Sequence, residues 1–155
     1  MAEIHKTGNE TLLERTQIVQ ILTWSSDGKL FGMDVAECRE IVKDKKITTV
    51  PHSADTVLGI VNLRGEVVTV LDLSRLLGYK SSGDIEKAVL IRLKASSQQI
   101  SVKADTVFDV IDARESEFEP PPSNLTDMES RFISSVLLTD KGLAVILNSK
   151  ELVKP

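Results

Sequence analysis

The sequence predicts an all-β fold with a few short helices, and three observations carry that prediction. Its 16 Val and 12 Ile fall mainly in runs or alternations of four to eight residues, the spacing of strands rather than of helices. Turn formers bound those runs, above all Asp27-Gly28 and Arg64-Gly65. The apolar pattern of the first half returns in the second half, as expected of a duplicated β unit.

Residues 1–16 are polar and unpatterned, with little apolar content beyond Ile4, Leu12 and Leu13, so a flexible tail or a short helix is expected there, and His5 has no evident role. Gln17–Trp24 and Leu30–Met33 flank Ser25-Ser26-Asp27-Gly28, whose Asp-Gly pair can supply the positive φ angles of a tight turn, and so predict a first hairpin. Glu40–Lys43 reads as a third strand, Asp44–Lys46 as a charged loop, and Ile47–Val50 as an extended approach to Pro51, which ends pairing. Ser53–Thr56 suits a single turn. Gly59–Leu63 and Glu66–Leu71 make a second hairpin about Arg64-Gly65, after which Asp72 can cap a helix at Leu73–Leu77, closed by Gly78.

Sliding the chain on itself sets Val19–Ser26 over Val89–Ser96 and, with one residue removed in the turn, Phe31–Val42 over Ile100–Ile111. Gly59–Leu77 lies likewise over Ser135–Val153. Two copies of this size describe a duplicated barrel rather than a solenoid, which needs three or more shorter units. One domain over residues 17–155 is expected, with a first barrel at about 17–80, a second at about 85–153, and exchange of strands or termini between them allowed. Tyr79–Asp84 is the polar junction. Closure removes exposed sheet edges, and two small barrels can share a core that neither would fill alone. Glu117–Asn124, with Pro120, Pro121 and Pro122, reads as a loop.

The composition argues against several functions. With 19 Lys+Arg against 23 Asp+Glu the net charge is −4, which lacks the cation surplus that binding to phosphate backbones needs, so no nucleic-acid partner is expected. The single cysteine, Cys38, excludes an intrachain disulfide and suits a reducing compartment. No stretch approaches the ~20 apolar residues of a membrane span and the N-terminus has no signal-peptide centre, so a cytoplasmic protein without membrane insertion is expected. No enzyme is expected either: the two histidines, His5 and His52, have no Ser or Cys nucleophile motif beside them.

No metal or cofactor is expected, since Asp105, Asp109 and Asp112 lack the glycine of a calcium loop and read as a solvated face. Gly59–Gly65 is followed by neither Lys-Ser/Thr nor a long helix, so it is no nucleotide loop. Cys38, in an alternating strand, reads as a packed small apolar residue rather than a reactive thiolate. A ligand-binding barrel stands as the alternative to a docking protein, marked by an apolar pocket with convergent polar groups.

Leu30-Phe-Gly-Met-Asp-Val35, Cys38-Arg-Glu-Ile41, Val50-Pro51 and above all Gly59-Ile-Val-Asn-Leu-Arg-Gly65 followed by Val67-Val-Thr-Val-Leu-Asp-Leu73 resemble the CheW family of chemotaxis coupling proteins. The resemblance runs from about Gln17 to Val153 and is strongest in the first half. It implies two intertwined five-stranded SH3-like barrels and a non-enzymatic adaptor. Such an adaptor joins the cytoplasmic tip of methyl-accepting chemoreceptors to the regulatory domain of the chemotaxis histidine kinase, CheA. It is recruited through these partners to membrane-associated arrays, with rings formed by the kinase domain or by further copies.

Carried over by position, the receptor-facing groove comprises Cys38, Glu40, Gly59 and Arg64. Cys38 stands where the family has an aliphatic residue. Gly59, lacking a Cβ, allows close approach to its backbone. Arg64 has two readings, as a donor to a receptor carboxylate or as the partner of Glu40. The repeat sets Val107 over Cys38 and Asp109 over Glu40, which points to Val107 and Phe108 as the kinase-facing residues, although one of two adjacent strand residues should face the core.

Overall fold

The chain is described by a computed structural model over residues 17–82, 84–86, 88–94 and 98–154. The expected tail at residues 1–16, with His5, lies outside the described residues. β1 (Ile18–Ser26) and β2 (Lys29–Asp34) meet across Asp27-Gly28, with φ of 51° and 78°. β4 (Val57–Leu63) and β5 (Glu66–Leu71) meet across Arg64-Gly65, with φ of 55° and 84°. Two successive left-handed residues match the right-handed twist of the flanking strands, and Asn62 Oδ1 accepts from the Gly65 N–H at 3.0 Å to fasten the second turn. Between the hairpins, Asp34 caps a 3-10 turn over Val35–Glu37, and β3 follows at Cys38–Lys43, two residues longer than the sequence suggests. Asp72 starts α1 (Leu73–Leu76) by accepting from the Arg75 N–H at 3.3 Å.

The second half repeats this order with β9 and α2 added, as β6 (Val89–Leu93), β7 (Ile100–Ala104), β8 (Thr106–Arg114), β9 (Phe118–Glu119), α2 (Asp127–Phe132), β10 (Ile133–Thr139), β11 (Gly142–Leu147) and α3 (Ser149–Leu152). Two features depart from the expected loop and strand pattern. Phe118 and Glu119 leave the proline-rich loop to pair with Leu137 and Val136. Ile47–Val50, read as extended, makes only the single bridge Thr48 to Ile60. The helix α2 was not expected from the sequence; Thr126 and Glu129 form a reciprocal capping box at its start.

Sheet I has the order β8-β1-β2-β11-β10-β9 and sheet II the order β3-β6-β7-β5-β4. Neither is a contiguous half of the chain: each joins the opening hairpin of one copy to the later strands of the other. Each hairpin is joined on both sides, by the parallel pairs β2 with β11 and β7 with β5 and by the antiparallel pairs β1 with β8 and β6 with β3. This is the intertwined, duplicated SH3-like architecture. The duplication extends to its irregularities, since the bulge between Val57 and Gly59 recurs between Ile133 and Ser135.

The pairing also corrects the sequence alignment by one residue. Cys38 faces Leu93 as Val107 faces Trp24, so Leu93 takes the place of Trp24 and Val19 lies over Ala88, with nothing removed in the turn. The pattern did not resolve this because β1 and β6 are apolar on both faces, and a consecutive apolar run matches itself in either register.

Three clusters account for that double-sided burial. Leu90 on β6 joins Val61, Val68 and Val70 inside sheet II, and Ile21 on β1 joins Leu137, Ala144 and Ile146 inside sheet I. Leu22, Trp24, Ile91 and Leu93 turn the other way, into a central cluster with Phe31, Met33, Leu73, Val102, Phe132 and Leu147 that both sheets share.

Gly59 is buried beneath the Ile47–Thr48 segment. A Cβ there would run into the Thr48 carbonyl oxygen and stand 2.8 Å from Ile47 Cγ2. The close approach that glycine permits is made by the chain itself. Gly59→Ala should therefore lower stability by about 1–3 kcal/mol, as overpacking does, read as a reduced urea midpoint with an unchanged m-value.

Candidate functional site

The most unusual side chain is one that the sequence reading passed over. Arg92 lies in the run Val89-Leu-Ile-Arg-Leu93 and is fully buried between Ile91 and Leu93. A guanidinium there must be paired, because an isolated buried charge is costly. Glu40, directly across on β3, accepts from Arg92 Nη1 at 3.0 Å. Arg92 Nη2 donates to Glu66 Oε1 at 2.9 Å and to Gln99 Oε1 at 2.6 Å. Burial works against the Arg92 charge, but the bonds to Glu66 and Glu40 outweigh it and push its pKa up. In return the hydrogen bond from Arg92, foremost among the causes, holds the Glu66 carboxyl below its ordinary 4.5.

Each carboxylate carries the network to the surface. Glu40 Oε1 lies 3.5 Å from Arg64 Nη2, and Glu66 Oε1 lies 3.6 Å from Arg39 Nη2. The result is an alternating line of charge, Arg39–Glu66–Arg92–Glu40–Arg64, anchored in the interior and ending in two exposed cations. The Arg64 side chain is 79% exposed, so its pairing with Glu40 contributes only ~0–1 kcal/mol and leaves the guanidinium accessible. Glu40, Ile41, Lys43, Lys45 and Arg64 border a shallow cleft beside it.

Of the four residues assigned to one groove, Glu40 and Arg64 are thus brought together. Cys38, on the same strand, is half-buried against the central cluster, its Sγ 3.8 Å from the Glu40 carbonyl oxygen. Burial pushes its thiol pKa up, which fits a packed residue rather than a thiolate. Gly59 is buried beneath Thr48 and presents no side chain.

Val107 and Phe108 sit at the bulge of β8, the counterpart of the Cys38 position in sheet I. Val107 packs against the central cluster, and Phe108 receives Lys141 Nζ over its ring at 5.1 Å. Close to Lys141 in sequence, Leu138 and Leu143 face each other across the β10–β11 hairpin, both exposed. Sheet I has no equivalent of the charged line, because the counterpart of Arg92 is Thr23, whose hydroxyl donates to the Asp109 carbonyl oxygen at 3.0 Å. Asp105, Asp109 and Asp112 are exposed, and among the described residues no group of three acidic, Cys or His side chains could hold a metal ion.

Comparison with known proteins agrees with this architecture. A family model described as a CheW-like domain matches residues 20–154. The chemotaxis protein CheW of Rhizobium meliloti is 31% identical over 107 residues, 69% of each chain. The probable chemotaxis protein CheW of Rhizobium etli is 28% identical over 122 residues, 79% of each chain. Among solved structures, the scaffolding protein TtCheW from Thermoanaerobacter tengcongensis superposes with a TM-score of 0.75 at 30% identity, covering 85% of this chain and 90% of that one.

Arg92→Met keeps the stem of the side chain and removes its fork, leaving the largely buried Glu40 with the exposed Arg64 as its ion partner. Breaking a buried pair from one side costs about 3–5 kcal/mol, read from urea denaturation. The Glu66 carboxyl is lowered in the fold, so its stabilisation is complete above pH 4.5 and fades as pH falls through the folded value. Melting temperatures from neutral pH down to about pH 3 should fall less steeply in Arg92→Met than in the wild type.

Proposed function

The chain belongs to the CheW family, and on that premise we propose that it is a non-enzymatic chemotaxis coupling protein. It links the cytoplasmic signalling tip of methyl-accepting chemoreceptors to the regulatory domain of the histidine kinase, and so places the kinase under receptor control. Its working location is the cytoplasmic face of membrane-associated receptor arrays, reached through these partners. The observation that carries this reading is the family match over residues 20–154, joined to two chemically different surfaces at equivalent positions of one duplicated frame.

The charged end of sheet II is the receptor side. There Arg64 meets a receptor carboxylate, Glu40 holds Arg64 in place, Cys38 lends apolar contact at the groove wall, and Gly59 lets the Ile47–Thr48 segment lie close over it. Each exposed contact is modest in energy, and arrays compensate through multivalency. The kinase side is the apolar end of sheet I, around the Val107–Phe108 bulge. Phe108 faces the partner, and Val107 supports it from the central cluster.

Receptor-dependent autophosphorylation of the kinase, with co-sedimentation and a melting curve for each variant, tests the assignment. Arg64→Ala should keep its melting temperature, because its ion pair is exposed, and lose receptor-dependent stimulation. Phe108→Asp should remain folded and lose kinase binding while retaining receptor binding. Val107→Asp should lower the melting temperature as well, since it introduces a charge against the core. Wild-type protein that binds neither partner would end the reading.

A further inference from the structure

A cleft at one end of sheet I has a volume of about 600 Å³, inside the range of small-molecule sites. Ile21, Phe118 and Ile146 give it apolar walls. The duplication explains why it is open. By the strand register, Ser134 stands where the other copy has Leu58, Ser149 where it has Leu73, and Asp34 where it has Lys103. All three counterparts are buried, Leu58 inside sheet II and Leu73 in the central cluster. Two isobutyl groups and an alkylammonium chain are therefore replaced in sheet I by two hydroxymethyl groups and a carboxylate.

Of the polar groups bordering the cleft, Asp34 accepts from the Ala36 N–H and the Ser134 hydroxyl donates to the Ile146 carbonyl oxygen. Ser149 is only 7% exposed and borders the cleft, and among the described residues its hydroxyl has no hydrogen-bond partner. Asn148 occupies the N-cap position of α3 without a side-chain cap bond, where its counterpart Asp72 makes one. Asp34, Glu37 and Glu115 border the same space, with Lys150 as the one cation on the lining.

We propose that this cleft binds a small alkylammonium compound, a mobile substitute for the buried counterpart side chains of the other copy. The alkyl body lies along Ile21 and Ile146. The ammonium faces the carboxylate border and donates to the Ser149 hydroxyl and the Asn148 carbonyl oxygen. The site is separate from both docking surfaces and does not rest on the coupling role.

Methyl NMR of the full chain, titrated with n-hexylammonium and with n-hexanoate, tests it. Saturable shifts of the Ile21 and Ile146 methyls by hexylammonium, with hexanoate at least about tenfold weaker, are expected. Ser149→Leu, which copies Leu73, should abolish the shifts. Asp34→Asn, which retains an oxygen for the Ala36 N–H, should weaken hexylammonium binding and spare the fold even if the leucine variant does not fold. Equal response to both probes, no saturation below about 10 mM, or undiminished binding in Asp34→Asn would overturn the proposal.

Discussion

Strands β1 and β6 carry apolar side chains on both faces, and a strand of that kind has to be covered twice. One face of each fills the interior of its own sheet, and the other meets its counterpart in the central cluster around Trp24, Phe31, Ile91 and Leu93. A fully buried large apolar side chain contributes ~1.5–3 kcal/mol, and most members of this cluster are at or near zero exposure. The two copies cannot separate without exposing it. The exchange of strands at the β2–β11 and β7–β5 joints follows the same requirement, because it commits each opening hairpin to strands of the other copy.

With the frame fixed by that core, the copies have diverged at individual positions, buried as well as exposed. Arg92 and its carboxylates occupy the place that Thr23 fills with a single backbone hydrogen bond. Exposed Leu138 and Leu143 stand opposite each other in the same way as Asn62 and Val67. Ser149 replaces buried Leu73. A pseudo-symmetric scaffold thereby offers non-equivalent surfaces held at a fixed separation, which is the physical requirement for a protein that couples two partners. The buried Arg92 matters here as a rigid base: it costs desolvation, but it fixes two carboxylates and, through them, the directions of two surface arginines.

Much of this was legible in the sequence where the determinants are local. Asp27-Gly28 and Arg64-Gly65 specify their hairpins by backbone chirality, and Asp72 specifies α1 by capping. The duplication was visible because core positions recur, and the residues around Gly59–Leu73 carried the family. The remainder depends on long-range pairing. The one-residue slip between β1 and β6 arose because double-sided burial removes the period-two signal. Arg92 went unnoticed because its partners Glu40 and Glu66 lie 52 and 26 residues away in sequence. Gly59 was read as open to a partner, and only the path of the Ile47–Thr48 segment reveals that its empty side is taken.

Coupling as proposed requires that two different partners occupy two different faces of one rigid frame at once. Sedimentation velocity on a mixture of this protein, the kinase regulatory domain and a soluble receptor signalling fragment measures that directly. A ternary species heavier than either binary complex, with neither partner displacing the other, is predicted. Mutual displacement, with only binary complexes at saturating concentrations, would show that the partners share a single surface and would contradict the account.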